Sequence, residues 1–171
     1  MSSAAVWARA FARQAKADFN TYEQLENQGH LLAVPKCHRL HLLQMACEKL
    51  AKAHLCDGGS DPRSLQASHA YVAKNLPRIA RQFLSEWQGR QVRSSLYPMR
   101  DIRRLSREIE LLSPAVDDDG KRLDNCEYPW EVRLDELRVP AEHGFPNLGL
   151  LTAPAGRTFL KIVKEAIARL A

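Results

Sequence analysis

The stretch from Cys37 to Leu55, CHRLHLLQMACEKLAKAHL, constrains the fold of this chain most strongly. Its apolar residues recur at alternating steps of three and four, which places them on one side of a helix. They are Leu40, Leu43, Cys47 and Leu50, continued by His54, with Ala46 and Ala53 beside them. Glu48 and Lys52 are spaced i, i+4 off that stripe, among small residues that let another helix approach closely. The pattern predicts a helix that packs against a partner.

Length and composition predict one domain that spans residues 1–171. The 171 residues are 45% hydrophobic and 26% charged, which is enough to bury one sizeable core. No apolar run approaches the roughly 20 residues needed to span a bilayer, and Arg and Lys interrupt the apolar positions near the N-terminus. We therefore expect a cytoplasmic protein with no membrane partner. The four cysteines form no C-x-x-C pair, which indicates reduced thiols in the core.

The periodicity predicts an all-α fold, an antiparallel bundle of about five helices. The first covers about 4–26, the second about 35–56, and the third begins after a Ser68 cap and is kinked or restarted at Pro77. The fourth covers about 98–112 and the fifth about 155–170. Residues 113–153 lack helical period and form a long irregular segment that wraps the bundle, held by Tyr128, Trp130 and Phe145. Alternation at 130, 132 and 134 predicts one short strand there.

Part of this pattern resembles a known family. The run QMACEKLAKAHL at 44–55, followed by a loop and by Ser68 and His69 opening a helix that carries Val72 and Leu76, resembles the HEPN family of small prokaryotic helical proteins. The resemblance covers roughly residues 5–112. It implies an antiparallel helical bundle, usually dimeric, found as the partner of a minimal nucleotidyltransferase or as a metal-independent ribonuclease.

Charge is unevenly distributed along the chain. Residues 61–116 contain ten Lys or Arg, nine of them Arg, against five acids, whereas 117–143 contain four basic and nine acidic residues. In the fourth predicted helix Arg100, Arg103, Arg104 and Arg107 share one side, opposite Ile102, Leu105, Ile109 and Leu112. Such a side predicts a phosphate-binding surface, because the guanidinium group pairs bidentately with phosphate oxygens. The alternative is an ordinary solvated face, since no aromatic residues interleave for base stacking.

Ribonucleases of the resembled family use an Arg, four to six intervening residues and a His. A His moves protons near neutral pH, and an Arg stabilises charge that develops on the phosphate. Two pairs fit this spacing here, Arg63 with His69 and Arg138 with His143. Two such pairs are about the number that chance alone gives in a chain with this many Arg and His residues. The second pair also has Pro140 between its members. We also weigh a structural role for His69, in which it bonds a backbone group at a helix start.

Other chemical motifs are incomplete. Cys37, His38 and His41 lie within one helical turn but lack a fourth zinc ligand at any recognised spacing. The run of three aspartates and a glycine at 117–120 lacks the Glu that closes a calcium loop, because Cys126 stands at that position. We expect no metal and no cofactor.

The sequence therefore predicts a HEPN-like dimeric helical module that binds RNA or a nucleotide in a toxin-antitoxin or defence setting, without catalysis of its own. Its expected partners are a second copy of the chain, RNA or a nucleotide, and a nucleotidyltransferase. One alternative is a metal-independent endoribonuclease that uses Arg63 and His69. Another is a protein-interaction scaffold that docks through the acidic segment 117–143.

Overall fold

The computed structural model describes residues 3–90, 99–116 and 123–171. The helices are α1 (Ala4–Leu32), α2 (Lys36–Asp57), α3 (Pro62–Gln66), α4 (Val72–Arg90), α5 (Met99–Glu110) and α6 (Pro154–Leu170). Between α5 and α6 lie strands β1 (Trp130–Arg133) and β2 (Glu136–Arg138) and two 3-10 helices, Pro140–Glu142 and Pro146–Thr152. The predicted all-α class is confirmed. In the described parts of the chain, no helix combines the length and apolar character needed to cross a bilayer.

Helix α2 is the centre of the bundle. It contacts all five other α-helices, and its pairing with α1 is the most extensive contact in the protein. Because helices surround it, its buried positions extend well beyond the predicted stripe. Glu48 and Lys52, which the sequence places off that stripe, are only 4% and 5% exposed. His54, which the pattern assigns to the packing side, is only half-buried.

The remaining helices bury the residues that their periodicity selects. Ile102, Leu105 and Ile109 of α5, with Leu112 just after it, are fully buried as predicted. The other large core side chains include Phe19 and Tyr22 of α1, Ile79 and Phe83 of α4, and Phe159, Ile162 and Val163 of α6. All four cysteines are buried with free thiols, which confirms their predicted role in the core.

The predicted end of the first helix is wrong. The Asn27-Gln28-Gly29 sequence suggests a stop, yet α1 continues to Leu32 and is followed by Ala33 in the left-handed region at φ 48°. One glycine inside a helix costs only about 1 kcal/mol, which packing against α2 outweighs. The stop comes at Pro35, because the residue before a proline is disfavoured in helical geometry.

The predicted start of the third helix is also wrong. The side chain of Asp61 accepts hydrogen bonds from the backbone N–H groups of Arg63 and Ser64, and Pro62 occupies the first helical position, so the short α3 forms first. Residues 67–71 are not helical, and α4 begins at Val72. His69 therefore lies in a linker and does not open a helix. Helix α4 then runs through Pro77 without a restart.

Segment 113–153 has more local structure than predicted. Two antiparallel strands form where one was expected, and they pair Trp130 with Arg138 and Glu131 with Leu137. Phe145 is fully buried and Trp130 half-buried, but Tyr128 is 61% exposed and does not hold the segment as predicted. The segment is attached to the end of α5 by the N–H of Cys126, which donates to the carbonyl of Leu112 at 3.1 Å.

Candidate functional site

A row of polar side chains crosses the buried surface of α2. Gln44, Glu48 and Lys52 follow at steps of four residues, so they lie above one another on the helix. Lys52 Nζ donates to Glu48 Oε1 at 2.6 Å, and Gln44 Nε2 donates to Glu48 Oε2 at 3.0 Å. Gln44 is 1% exposed, so all three residues are removed from water. An ion pair at this depth is maintained only if its hydrogen bonds are complete.

His69 completes this row from the linker between α3 and α4. Its Nδ1 lies 3.0 Å from Glu48 Oε2, the oxygen that Gln44 also contacts. Buried Leu65 in α3 and buried Val72 at the start of α4 fix the linker on both sides. The imidazole side chain is 43% exposed, whereas that of Glu48 is 5% exposed. His69 therefore connects the buried carboxylate with the protein surface.

Two further side chains surround the row. The ammonium of Lys52 lies 5.7 Å from the ring centroid of Tyr71, within the range of a cation–π contact. The carboxylate of Glu110, at the end of α5, accepts the backbone N–H of Ala73 at 2.9 Å. The start of α4 is thus hydrogen-bonded to α5 beside the row.

The pKa values of the two carboxyl groups, Glu48 and Glu110, are shifted in opposite directions. Burial raises the pKa of Glu48, but hydrogen bonds from Lys52, His69 and Gln44 and the charge of Lys52 outweigh it, so the pKa lies below its ordinary value. For Glu110, burial dominates and raises the pKa, and the nearby charge of Glu48 adds to that increase. Glu48 is therefore held as a carboxylate opposite the imidazole of His69.

His69 opens onto a cleft of about 380 Å³. The cleft is lined by Gln44, Met45, His69, Ser113, Pro114, Ala115, Glu127 and Tyr128. The side chain of Asn125 positions the far wall, because its Oδ1 accepts the backbone N–H groups of Glu127 at 2.8 Å and Tyr128 at 2.7 Å. His41, one turn before Met45, lies 3.7 Å from Glu127 through Nδ1 and Oε1.

The Glu48–His69 contact allows acid–base chemistry. A carboxylate beside Nδ1 favours the tautomer with the proton on Nδ1, which leaves Nε2 of the neutral ring as an acceptor. No Lys or Arg is among the described residues that line this cleft, and Lys52 is held by Glu48. The described lining of this cleft therefore offers a proton acceptor but no cation that could stabilise a phosphorane-like charge.

The arginine side of α5 forms a second candidate surface. Arg100, Arg103, Arg104 and Arg107 are exposed, opposite the buried residues of that helix. We call these four residues the arginine face. The charge of Arg107 acts on Glu110 and lowers its pKa, whereas Arg100, Arg103 and Arg104 have no ion-pair partner within residues 3–90, 99–116 and 123–171. Exposed guanidinium groups of this kind fit both the phosphate-binding interpretation and the ordinary solvated face, so both stay predictions.

The two predicted Arg–His pairs lie in different surroundings. Arg63 is exposed on α3, and His69 takes Glu48 as its partner, a contact that the sequence pattern does not predict. The use of Arg63 and His69 together stays a prediction. Arg138 and His143 lie on either side of the 3-10 helix Pro140–Glu142, and both line a second cleft.

The metal motifs gain no support from this geometry. Among the described residues, no three His, Cys, Asp or Glu side chains converge as ligands of a metal ion would. Cys37 is buried at the start of α2, while His38 beside it is exposed. The aspartate-rich run at 117–120 lies outside the described residues.

Comparison of the chain with models of known protein families, with curated proteins and with solved structures finds no match in any of the three. The resemblance to the HEPN family thus rests on the residues quoted for it.

We predict that Glu48→Gln lowers the free energy of unfolding by about 3 kcal/mol at pH 7, because it leaves the ammonium of Lys52 buried without a countercharge. The double variant Glu48→Gln, Lys52→Met should lose clearly less, since neither charge then remains. Urea unfolding followed by circular dichroism measures both. Glu23→Gln is the control. It breaks an exposed ion pair in which Lys164 Nζ lies 2.9 Å from Glu23 Oε2, and it should lower the free energy of unfolding by no more than about 1 kcal/mol.

The pH dependence provides a second readout of the same pair. A carboxyl group with a lowered pKa contributes stability above its unfolded-state pKa, and that contribution disappears as pH falls through the folded-state pKa. The free energy of unfolding should therefore decrease less steeply for Glu48→Gln than for wild type between about pH 5 and pH 3. Two results would contradict the role of the Glu48–Lys52 pair. One is an equal pH dependence of the free energy of unfolding in wild type and Glu48→Gln, and the other is a double variant as unstable as Glu48→Gln.

Proposed function

We propose that the protein is a cytoplasmic, HEPN-like module that binds RNA or a nucleotide and acts in a toxin-antitoxin or defence system, beside a nucleotidyltransferase partner. The observation that carries this proposal is the arginine face. Its guanidinium groups are exposed on a helix whose opposite side is fully buried, so they are presented on a rigid support. Phosphate contacts of this kind supply affinity without reading sequence.

Replacing Arg100, Arg104 and Arg107 with Gln tests the arginine face. We expect weaker binding of single-stranded RNA and a salt dependence whose log–log slope is reduced by about 0.7 for each lost contact, or about 2 in total. Fluorescence anisotropy of a labelled RNA over a series of salt concentrations measures the slope.

A matched control removes the same charge at the same spacing elsewhere. Arg9, Arg13 and Lys16 are exposed on α1 at the i, i+4, i+7 spacing of the three test residues. Their replacement with Gln also lowers the net charge by three, so it should weaken binding only through the long-range field and leave the slope nearly unchanged. Equal loss of slope in both triple variants would argue against specific contacts on α5.

A second candidate function, metal-independent RNA cleavage, is favoured by the Glu48–His69 contact. In this mechanism Nε2 of His69 accepts the proton of a ribose hydroxyl, and Glu48 stabilises the imidazolium that forms. The cleft lacks a lining Lys or Arg among its described residues, so the cation for the phosphate would have to come from a second copy or from Arg63. For this reason we place binding first and cleavage second.

We therefore expect no cleavage of single-stranded RNA by the wild-type protein in the presence of a chelator. Denaturing gels of an end-labelled RNA provide the measurement. Cleavage that is abolished by His69→Ala, but retained by His38→Ala with unchanged helical content, would reverse the order and make the ribonuclease the leading function. His38 is a suitable control because it is an exposed histidine on the first turn of α2.

The proposed homodimer has support from the hairpin of β1 and β2. Leu134 at its tip and Leu137 on β2 are 88% and 68% exposed, and Val132 and Val139 in the same stretch are exposed as well. Several exposed apolar side chains in one place are typical of an interaction surface, whereas single ones are not. This hairpin belongs to the acidic segment 117–143, of which residues 117–122 lie outside the described residues. The same surface would serve the scaffold alternative.

We expect sedimentation at micromolar concentration to give about twice the monomer mass of 19.4 kDa. Leu134→Asp with Leu137→Asp should shift the protein towards monomer, because each change places a charge on the apolar contact. Val6→Asp on α1, another exposed apolar position at 45%, is the control and should leave the mass unchanged. A wild-type protein that sediments only at 19.4 kDa would exclude the dimer.

A further inference from the structure

A second cleft lies between the hairpin and the 3-10 helices, with a volume of about 540 Å³. It is lined by Leu123, Asp124, Trp130, Val132, Arg138, His143, Pro146 and Asn147. Trp130 and Arg138 are direct partners in the strand register, so their side chains lie on the same face of the hairpin. The cleft thus combines a large aromatic ring, a cation and an amide, which is the composition of a small-molecule site.

Aromatic packing holds one wall of this cleft in place. The ring of His143 lies edge to face with Trp130 at 5.1 Å and with Phe145 at 4.7 Å, at 84° in both cases. Phe145 is fully buried and has a φ of 46°, a backbone conformation that non-glycine residues rarely adopt. His143 Nε2 also lies 3.7 Å from Asp124 Oδ2. The indole is therefore presented on a preorganised support.

Arg138 and Asn147 are the polar groups of the cleft that a ligand can engage. Arg138 contacts Glu136 at 3.1 Å, but both side chains are about half exposed, and a surface pair of this kind contributes little. A phosphate can replace Glu136, since it accepts the guanidinium group bidentately. Asn147 is exposed, and its amide makes no hydrogen bond within the described parts of the chain. An amide offers a donor and an acceptor side by side, and without a fixed partner it can turn to pair with a base edge in either order of donor and acceptor.

We propose that this cleft binds a single unpaired nucleotide. The base stacks on Trp130, Asn147 pairs with the edge of the base, and Arg138 holds the phosphate. The inference goes beyond the proposed function, because the arginine face contacts only the backbone, whereas this cleft takes up a base.

Titration of the full-length protein with AMP, CMP, UMP and ribose 5-phosphate, followed by isothermal titration calorimetry, tests the proposal. We expect AMP, CMP and UMP to bind at least about tenfold more tightly than ribose 5-phosphate, since only the nucleotides carry a base that stacks on Trp130. Trp130→Leu should weaken AMP binding at least fivefold, as expected for the loss of one stacked base.

Two milder variants keep the test valid if Trp130→Leu unfolds the hairpin. Asn147→Ala, at an exposed position, should weaken AMP and UMP by a similar factor and leave ribose 5-phosphate unchanged, whereas Arg138→Gln should weaken both nucleotides and ribose 5-phosphate alike. Arg133→Gln is the matched control, because Arg133 lies on the same hairpin, does not line the cleft, and should leave binding unchanged.

Three results would overturn the proposal: no binding of AMP, CMP or UMP at millimolar concentration, ribose 5-phosphate bound as tightly as AMP, or Arg133→Gln as harmful as Arg138→Gln. None of them bears on the arginine face, whose salt slope is measured with a different set of variants. Failure of this site and failure of the proposed RNA binding are therefore distinguishable.

Discussion

The burial of Glu48 and Lys52 on the central helix is the constraint on which the rest of the structure depends. Removing each charge from water costs several kcal/mol, and their mutual attraction offsets this cost only when further hydrogen bonds complete the pair. Gln44 and His69 supply those bonds to the carboxylate, and Tyr71 faces the ammonium. The linker that carries His69 and Tyr71 must therefore lie against α2, which fixes how α3 and α4 enter the bundle.

The same requirement brings a chemically useful group to the surface. A buried carboxylate needs donors, and one of its donors is an imidazole that is half exposed on a cleft. A structural network and an oriented histidine are thus the same set of contacts. The contact that stabilises Glu48 also orients the imidazole of His69. It does not bring a lysine or arginine to the cleft, and none is among the described residues that line it.

Much of the fold could be predicted from the sequence, because it depends on periodicity. The α5 face of Ile102, Leu105 and Ile109 follows the three-and-four spacing and is buried as expected. The position of Glu48 could not be predicted in this way, since an i, i+4 Glu–Lys pair is typical of exposed helices and only the surrounding helices bury it. One signal was present, namely Gln44 four residues before Glu48 on a helix rich in small residues. The helix cap at Asp61 and the second strand were not predicted, because neither a single side-chain hydrogen bond nor the pairing of two short strands produces a clear pattern in one sequence.

The linker between α3 and α4 has a consequence for the lengths that the chain tolerates. Leu65 and Val72 are buried at its two ends, and the imidazole that contacts Glu48 lies between them. Adding or removing one residue there would change the register between two fixed points and turn His69 away from the carboxylate. Around the hairpin tip at Asp135, by contrast, no residue from 130 to 139 is fully buried. We therefore expect the fold to tolerate an insertion or deletion at the hairpin tip better than one beside His69.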